Sequence, residues 1–273
     1  MNIKSNPIGV FDSGLGGLTS VSRLTELLPN EDILYLGDTG RVPYGGRGRE
    51  TIIKYARQDI EFLLKRDIKA ILVACGTVSA VALPEIADDY NVRIYDVVNP
   101  TSQKAAAATR NGRIGIIATE ASVRSRAYEN CLLRLKPDAQ IMSRACPLLV
   151  PLVENSRVEP GDLVIETVVA EYLDVFRQAG VDTLILGCTH YPLLEQVIGA
   201  YMGPEVVLIN SGAAAAEQLT AEMRTAGLLN DQQEPGLHRY YVSDSTENFA
   251  EQASIFLREN ACFEVRKVDL DSF

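Results

Sequence analysis

Short apolar runs rich in β-branched residues alternate with longer amphipathic segments along the whole chain, and this alternation restricts the fold more than any other feature. It predicts an α/β fold with a mainly parallel sheet, because parallel neighbours need a crossover that is usually helical. One amphipathic helix is predicted over 49–66, with its charged residues on the solvent face. The predicted strands are 7–12, 32–36, 70–74, 92–97, 113–117, 183–186, 206–209 and 239–242.

An internal repeat is visible among these strands. The run 8–13 resembles 114–119, and the run 71–75 resembles 184–188, with a cysteine at the end of each member of the second pair. Two similar pairs in the same order predict two α/β lobes related by a pseudo-twofold axis. The alternative is that apolar strands resemble one another by chance.

The lobe boundaries follow from the ends of the two copies. The first copy ends near Asn99 and Pro100, and the chain after Asn210 has no cysteine that would belong to a third copy. We therefore expect the last segment to return to the first lobe. The predicted division is 1–98 plus 210–273 for the first lobe and 99–209 for the second.

The composition is that of a folded globular protein and argues against several partners. Of 273 residues, 47% are hydrophobic and 23% charged, and a formal net charge of −10 repels nucleic acid and anionic lipid. No run approaches the roughly 18 apolar residues that a membrane span needs, and the first residues lack the apolar core of a signal peptide. We expect a cytoplasmic protein with a small-molecule substrate and no nucleic-acid or membrane partner.

The cysteines predict free thiols. They are odd in number, widely spaced and without a CxxC pair, which fits neither a disulfide framework nor a zinc site, so no metal is expected. They are Cys75, Cys131, Cys146, Cys188 and Cys262. With only His190 and His238 in the chain, chemistry that needs several imidazoles is excluded.

Four clusters of small, hydroxylated or ionisable residues follow predicted strands. Ligands of parallel sheets bind beyond the C-terminal strand ends, so these clusters are the candidate site. The alternative is that their Ser, Thr and Asp residues cap helices. The clusters are 12–14, 38–48, 75–77 and 188–190.

Two of the strand-end segments are rich in glycine. Segment 14–17 suggests a dinucleotide-binding turn, but Thr19 stands where GxGxxG has its last glycine, so we favour a small anionic ligand there. Segment 37–48 is long for a strand-to-helix loop and predicts a mobile binding loop, with a plain flexible connection as the alternative.

Cys75 and Cys188 are the strongest candidates for catalysis. Each ends an apolar strand at a strand-to-helix junction, where amides and the helix dipole are expected to lower the pKa of a thiol. Two thiols facing each other across a pseudo-twofold axis suit inversion at carbon, since one group removes a proton and the other returns one to the opposite face. Alternatively, Cys188 and His190 form a thiolate–imidazolium pair for covalent catalysis, which leaves Cys75 without a role.

Four motifs extend the interpretation from residues to a family. They are GVFDSGLGGLT, LGDTGRVPYG, VACGTVSA and LGCTHYPLL. In this order and spacing they resemble the cofactor-independent aspartate/glutamate racemase family, in particular its bacterial glutamate racemases. The resemblance covers essentially the whole chain, and it implies two pseudo-symmetric flavodoxin-like lobes with the active site in the cleft between them. It also implies interconversion of L- and D-glutamate without pyridoxal phosphate or any other cofactor, and supply of D-glutamate for peptidoglycan synthesis.

The resemblance assigns residue roles by position. It implies that Cys75 and Cys188 exchange the proton and that Asp12, Glu154 and His190 assist them. The substrate-binding residues implied in the same way are Asp12, Ser13, Tyr44, Gly45, Gly76, Thr77, Thr119, Thr189 and His190.

Gly76 departs from the family pattern. Most members have ACNTAS where this chain has ACGTVS, so a side-chain amide that would contact the substrate is missing. The departure puts substrate affinity in doubt more than reaction type.

Three other functions stay open at this point. The first is a racemase of the same family for aspartate or hydantoin. The second is a non-catalytic amino-acid-binding relative, which Gly76 supports and the two thiols oppose. The third is a NAD-dependent dehydrogenase, which Thr19 opposes. The sequence also leaves the assembly state open, with a homodimer as one option.

Overall fold

The computed structural model describes residues 3–247, 249–257 and 264–273, and these residues form two parallel sheets with helices packed on them. The strands are β1 Ile8–Asp12, β2 Ile33–Gly37, β3 Ala70–Val73, β4 Arg93–Tyr95, β5 Arg113–Ala118, β6 Gln140–Ala145, β7 Thr183–Leu186, β8 Val207–Asn210, β9 His238–Val242 and β10 Val265–Lys267.

Twelve α-helices and four short 3₁₀ turns connect the described strands. The helices are α1 Leu18–Leu27, α2 Arg49–Leu64, α3 Gly76–Val81, α4 Leu83–Ile86, α5 Val98–Ala108, α6 Glu120–Ser125, α7 Ala127–Leu135, α8 Leu149–Glu154, α9 Leu163–Gln178, α10 Glu195–Met202, α11 Ser211–Thr225 and α12 Phe249–Leu257. The 3₁₀ turns are Ile3–Ser5, Ala87–Asp89, Tyr191–Leu194 and Leu270–Ser272.

The two sheets repeat one strand order. The first sheet has the order β10-β9-β2-β1-β3-β4 and the second β6-β5-β7-β8, and every neighbouring pair is parallel. In each, the first strand of the copy lies between the second and the third, and the fourth follows the third, as in flavodoxin-like sheets. The predicted α/β fold with two repeated lobes is therefore confirmed.

The central strand of the first sheet shows why the pattern predicts a parallel sheet. Every residue of β1 is buried, because helices cover both faces of the sheet. On one face Val10 shares a core with residues of α1 and α11, and on the other Phe11 shares a core with residues of α2. This packing fixes the direction of β1 and leaves its last residue, Asp12, at the edge where the site forms.

Two strands were missing from the sequence prediction, β6 and β10. Both are edge strands with half-buried or exposed residues, so their sequences lack the apolar run that marks an interior strand. Asn99 and Pro100, the expected lobe boundary, lie in the first turn of α5 rather than in a linker. The division into 1–98 plus 210–273 and 99–209 stays a proposal. Among the described residues no helix is long and apolar enough to cross a membrane.

Candidate active site

A cavity of about 470 Å³ lies where the C-terminal ends of strands from both sheets meet. Segments that follow β1 and β3 form one wall, and segments that follow β5 and β7 form the facing wall. The structure brings every predicted site residue to this cavity. They are Asp12, Ser13, Tyr44, Gly45, Cys75, Gly76, Thr77, Thr119, Glu154, Cys188, Thr189 and His190.

Part of the cavity wall is apolar. Val42 and Pro43 belong to the predicted binding loop, whereas Pro147, Val150 and Pro151 were not predicted. These three residues precede the predicted Glu154 in the chain, but apolar residues in a loop or short helix carry no chemical signal of their own. The cavity lining therefore combines polar and apolar residues.

Cys75 and Cys188 occupy equivalent places in the two lobes. Cys75 directly precedes α3 after β3, and Cys188 follows β7 after one glycine. Both side chains are buried in the protein yet line the same cavity. The repeat noted in the sequence thus places one thiol on each wall.

Cys75 lies in an environment that favours the neutral thiol. Its Sγ is 3.5 Å from Ser13 Oγ. Burial, and after it the negative charge of Asp12, raises the pKa of Cys75 to about 12, although hydrogen bonds with Ser13 and the Val78 amide act in the opposite direction. The expectation that amides and the helix dipole would lower the pKa of this thiol is wrong, because loss of solvation outweighs them.

Cys188 has a different neighbour, the imidazole of His190. Cys188 Sγ lies 3.8 Å from His190 Nδ1, and His190 Nε2 lies 3.1 Å from Glu154 Oε1. Burial acts to lower the pKa of His190, but its hydrogen bonds to Cys188 and Glu154 outweigh burial and raise the pKa to about 10. At neutral pH the ring is therefore an imidazolium, and it places a positive charge beside the sulfur of Cys188.

Asp12 contributes a buried carboxylate to the cavity lining. Its Oδ2 accepts a hydrogen bond of 2.9 Å from the Gly17 amide, while its Oδ1 is buried without a partner among the described residues. Burial raises the pKa of Asp12, and His190 and nearby amides offset part of the effect. An unpartnered carboxylate oxygen at a cavity wall is a natural acceptor for a bound ammonium group.

Hydroxyl groups join the two walls. Thr77 Oγ1 and Thr119 Oγ1 are 2.9 Å apart, so a hydrogen bond connects α3 of the first lobe to the start of α6 in the second. Thr119 also contacts Ser122 Oγ at 3.0 Å. These hydroxyls and that of Thr189 can donate hydrogen bonds, which a carboxylate needs because it only accepts them.

The Tyr44 side chain turns its hydroxyl towards buried carboxylates. The hydroxyl donates to Asp38 and lies 3.2 Å from Asp59 Oδ2, and neither carboxylate belongs to the cavity lining. The neighbouring Gly45 carbonyl accepts a 3.0 Å hydrogen bond from the Ala121 amide in the second lobe. Segment 44–45 therefore contacts both lobes at the cavity wall.

Gly76 is explained by a close contact between the lobes. A Cβ atom added at Gly76 would lie 2.6 Å from the carbonyl oxygen of Gly187, far inside van der Waals contact. The position does not require the left-handed backbone region, since its φ is not positive. A side chain is absent here because the second lobe occupies its place.

The remaining described cysteines do not line the cavity. Cys131 Sγ is 3.3 Å from Asn99 Oδ1, and Cys146 is buried, which raises its pKa to about 12. Both are free thiols, as are Cys75 and Cys188. Cys262, also predicted to be a free thiol, lies outside the described residues. Within the described part of the chain, no group of three or more His, Cys, Asp or Glu side chains could hold a metal ion.

Comparison with known proteins places this arrangement in a family. The sequence profile of the Asp/Glu/hydantoin racemases matches residues 25–219. The chain belongs to the Asp/Glu/hydantoin racemase family. Among curated relatives, it is 44% identical over 250 residues to a glutamate racemase from Geobacter metallireducens, covering 92% of each protein. It is also 44% identical over 255 residues to a glutamate racemase from Neisseria meningitidis serogroup A, covering 93% of each.

Solved structures of this family share the whole fold. The crystal structure of glutamate racemase from Francisella tularensis in complex with D-glutamate has a TM-score of 0.91 and 36% identity, covering 99% of this chain and 100% of that one. Glutamate racemase from Thermus thermophilus in complex with β-chloro-D-alanine has a TM-score of 0.88 and 39% identity, covering 99% of each chain. The match extends over both lobes.

Proposed function

We propose that this enzyme is a glutamate racemase that interconverts L- and D-glutamate with two thiols and no cofactor. The observation that carries the proposal is that Cys75 and Cys188 line one cavity from equivalent positions on its two walls. The glutamate racemases among its relatives support the choice of glutamate as the substrate. Supply of D-glutamate for peptidoglycan synthesis and a cytoplasmic location belong to the same proposal, and a homodimer stays a prediction.

The reaction needs one base and one acid at a time. A thiolate on one side removes the α-proton and becomes a thiol, and the thiol on the other side gives its proton to the opposite face of the α-carbon and becomes a thiolate. The substrate leaves inverted, and the two thiols have exchanged protonation states. Burial and the charge of Asp12 favour the thiol form of Cys75, while the His190 imidazolium places a positive charge beside Cys188.

The polar groups divide the work of binding. We assign the carboxylates of glutamate to the hydroxyls of Ser13, Thr77, Thr119 and Thr189 and to the amides of Gly45 and Gly76. The unpartnered Oδ1 of Asp12 suits the substrate ammonium. Bringing that cation beside Cys75 offsets the charge of Asp12 and makes a thiolate there easier to form. Glu154 acts through its hydrogen bond to His190.

Racemisation in deuterium oxide tests both chemistry and substrate. Starting from either pure glutamate enantiomer, the first product molecules should carry solvent deuterium at the α-carbon while the remaining substrate stays protiated. Cys131→Ala provides a matched control, since that buried cysteine lies away from the cavity. Solvent deuterium at the α-carbon of glutamate that has kept its configuration would indicate that a single base removes and returns the proton. Turnover of aspartate without turnover of glutamate would make the enzyme an aspartate racemase, and turnover of neither would remove the catalytic proposal.

A further inference from the structure

Two buried carboxylates surround the hydroxyl of Tyr44. Asp38 follows β2, Asp59 lies in the middle of α2, and both side chains are fully buried. Arg41 donates from Nε to Asp38 Oδ2 at 2.6 Å, from Nη2 to Asp59 Oδ1 at 3.3 Å and from Nη1 to Gln58 Oε1 at 2.5 Å. The helix prediction placed the charges of this segment towards solvent, which is wrong for Asp59.

Counting donors distinguishes the two carboxylates. Asp38 accepts from Arg41 Nε, from Tyr44 and, at 2.6 Å, from Ser243 Oγ, a set of donors that suits an ionised group. Asp59 accepts from Arg41 Nη2, and its Oδ2 lies 3.2 Å from the Tyr44 oxygen. A phenol has one proton, and Tyr44 gives it to Asp38. The contact between Asp59 and Tyr44 then lacks a proton unless Asp59 supplies it.

The charges around Asp59 agree with this count. Burial raises the pKa of Asp59 well above its usual value, the charge of Asp38 adds to the effect, and Arg41 and the hydrogen bond with Tyr44 offset only part of it. Arg41 stacks on Tyr55, with its central carbon 4.1 Å from the ring centroid. Four titratable or charged groups act on Asp59 from the surrounding elements. They are Asp38, Arg41 and Tyr44 from the loop and Asp12 at the end of β1. A further carboxylate, Asp271, lies 3.9 Å from Nη1 of Arg41. The single positive charge of Arg41 can therefore neutralise only one of the two buried carboxylates, Asp38 and Asp59.

The hydrogen-bonded chain continues to the cavity wall. Tyr44 and Gly45 line the cavity, and Gly45 accepts the hydrogen bond from Ala121 of the second lobe. A Cβ atom at Gly45 would lie 2.8 Å from Thr119 Cβ, so a small shift of this segment changes the shape of the site. We infer that Asp59 is a neutral carboxylic acid that donates its proton to Tyr44, and that this bond makes Asp59 a positioning residue for the substrate-binding segment 44–45.

Stability as a function of pH tests the protonation state without any assay of activity. An unfolded Asp ionises near pH 4, whereas a neutral buried Asp59 keeps its proton to higher pH, so the wild type loses stability as pH rises from about 4 towards the folded pKa. Asp59→Asn keeps the donor to Tyr44 and does not titrate. We expect this variant to melt at a higher temperature than the wild type at pH 7.5, with the difference closing as the pH falls towards 4. A lower melting temperature at pH 7.5 would show an ionised Asp59 paired with Arg41 and would overturn the inference.

Kinetics test the positioning role, and this part rests on the proposed racemase function. Asp59→Ala should raise KM for glutamate by roughly ten-fold or more and lower kcat less, while Asp59→Asn should restore KM to within about five-fold of the wild type. Asp38→Asn is the matched contrast, because it removes the ionised partner of Arg41 and should raise KM without rescue. A KM unchanged in Asp59→Ala would overturn the positioning role. If the wild type failed to racemise glutamate, the proposed function would fall while the stability profiles would still decide the state of Asp59.

Discussion

The two halves of the site share a backbone plan but differ in charge. On the first-lobe side, Cys75 lies near the carboxylate of Asp12, and burial keeps the thiol protonated. On the second-lobe side, Cys188 lies 3.8 Å from a histidine whose pKa is raised to about 10. Equivalent strands therefore carry one thiol whose pKa is raised by burial and one thiol that lies beside an imidazolium. Repetition of a lobe supplies the geometry of a two-sided reaction, and the neighbouring residues decide its resting proton distribution.

The largest expected effect is loss of either thiol, which tests whether both halves are needed. Cys75→Ala and Cys188→Ala should each lower kcat by at least about 10²- to 10⁴-fold, because that is the usual contribution of a proton-transfer group. Serine at either position should be nearly as damaging, because a hydroxyl is a much weaker acid. The measurement is racemisation followed by circular dichroism, with Cys131→Ala as the control. Near-normal turnover in either alanine variant would contradict the mechanism, because the mechanism requires both thiols in every turnover.

The next effect concerns the groups that make the halves different. Replacing Glu154 with Gln removes the charge that supports the His190 imidazolium, so the pKa of His190 should fall and kcat should drop by roughly 10- to 100-fold, the range for a hydrogen bond to a charged group. Thr167→Val, a change on an exposed part of α9, is the control.

The isotope effect shows which half has been damaged. Racemisation has an equilibrium constant of one, so kcat/KM must fall equally in both directions, and the readout is the isotope effect of α-deuterated L- and D-glutamate. In Glu154→Gln the isotope effect should increase mainly for the enantiomer that Cys188 deprotonates. In Asp12→Asn it should change mainly for the other enantiomer. Equal isotope effects in both directions would show Glu154 and Asp12 to be ordinary binding groups.

A smaller effect is expected where the halves touch, at Gly76. Both Gly76→Ala and Gly76→Asn place a Cβ atom 2.6 Å from the Gly187 carbonyl oxygen, so the lobes must separate slightly. Overpacking of this kind costs about 1 to 3 kcal/mol, and we expect KM for glutamate to rise by roughly ten-fold. Gly199→Ala is the control, since its added Cβ meets Leu208 at an ordinary 3.7 Å. Tighter glutamate binding by Gly76→Asn with an unchanged kcat would contradict this expectation.

The smallest effect is a difference in stability with pH. Because the folded pKa of His190 is about 10 and the unfolded value is near 6.5, its contribution to stability is fully present below about pH 6.5 and is lost as pH rises through 10. The free energy of unfolding of the wild type should exceed that of His190→Asn by on the order of 1 to 3 kcal/mol at pH 6.5, a modest figure because Glu154 is half exposed to solvent. Denaturant unfolding at pH 6.5 and pH 10 should show the gap closing. A gap that widens with pH would place a neutral imidazole beside Cys188.

Much of the site could be predicted because its residues follow buried strands. The apolar runs before Asp12, Cys75 and Cys188 predict interior strands of parallel sheets, and such strands end at one edge. The pKa of Cys75 could not be predicted, because it depends on burial by segments distant in the chain. The same holds for Asp59, whose partners Arg41 and Tyr44 come from a loop that folds back onto α2.

The chain passes between the lobes twice, and both passages contain a helix, α5 after β4 and α11 after β8. These helices pack against each other, and Glu217 of α11 forms ion pairs with Lys104 of α5 and Arg23 of α1. Because both connections lie side by side, they permit a hinge rotation of the lobes about the line through α5 and α11. They resist sliding of one lobe past the other. The two lobes are thus joined along one side of the cleft. A rotation about that side would expose both thiols to solvent at once, and its reversal would return them to the same alignment on either face of a substrate.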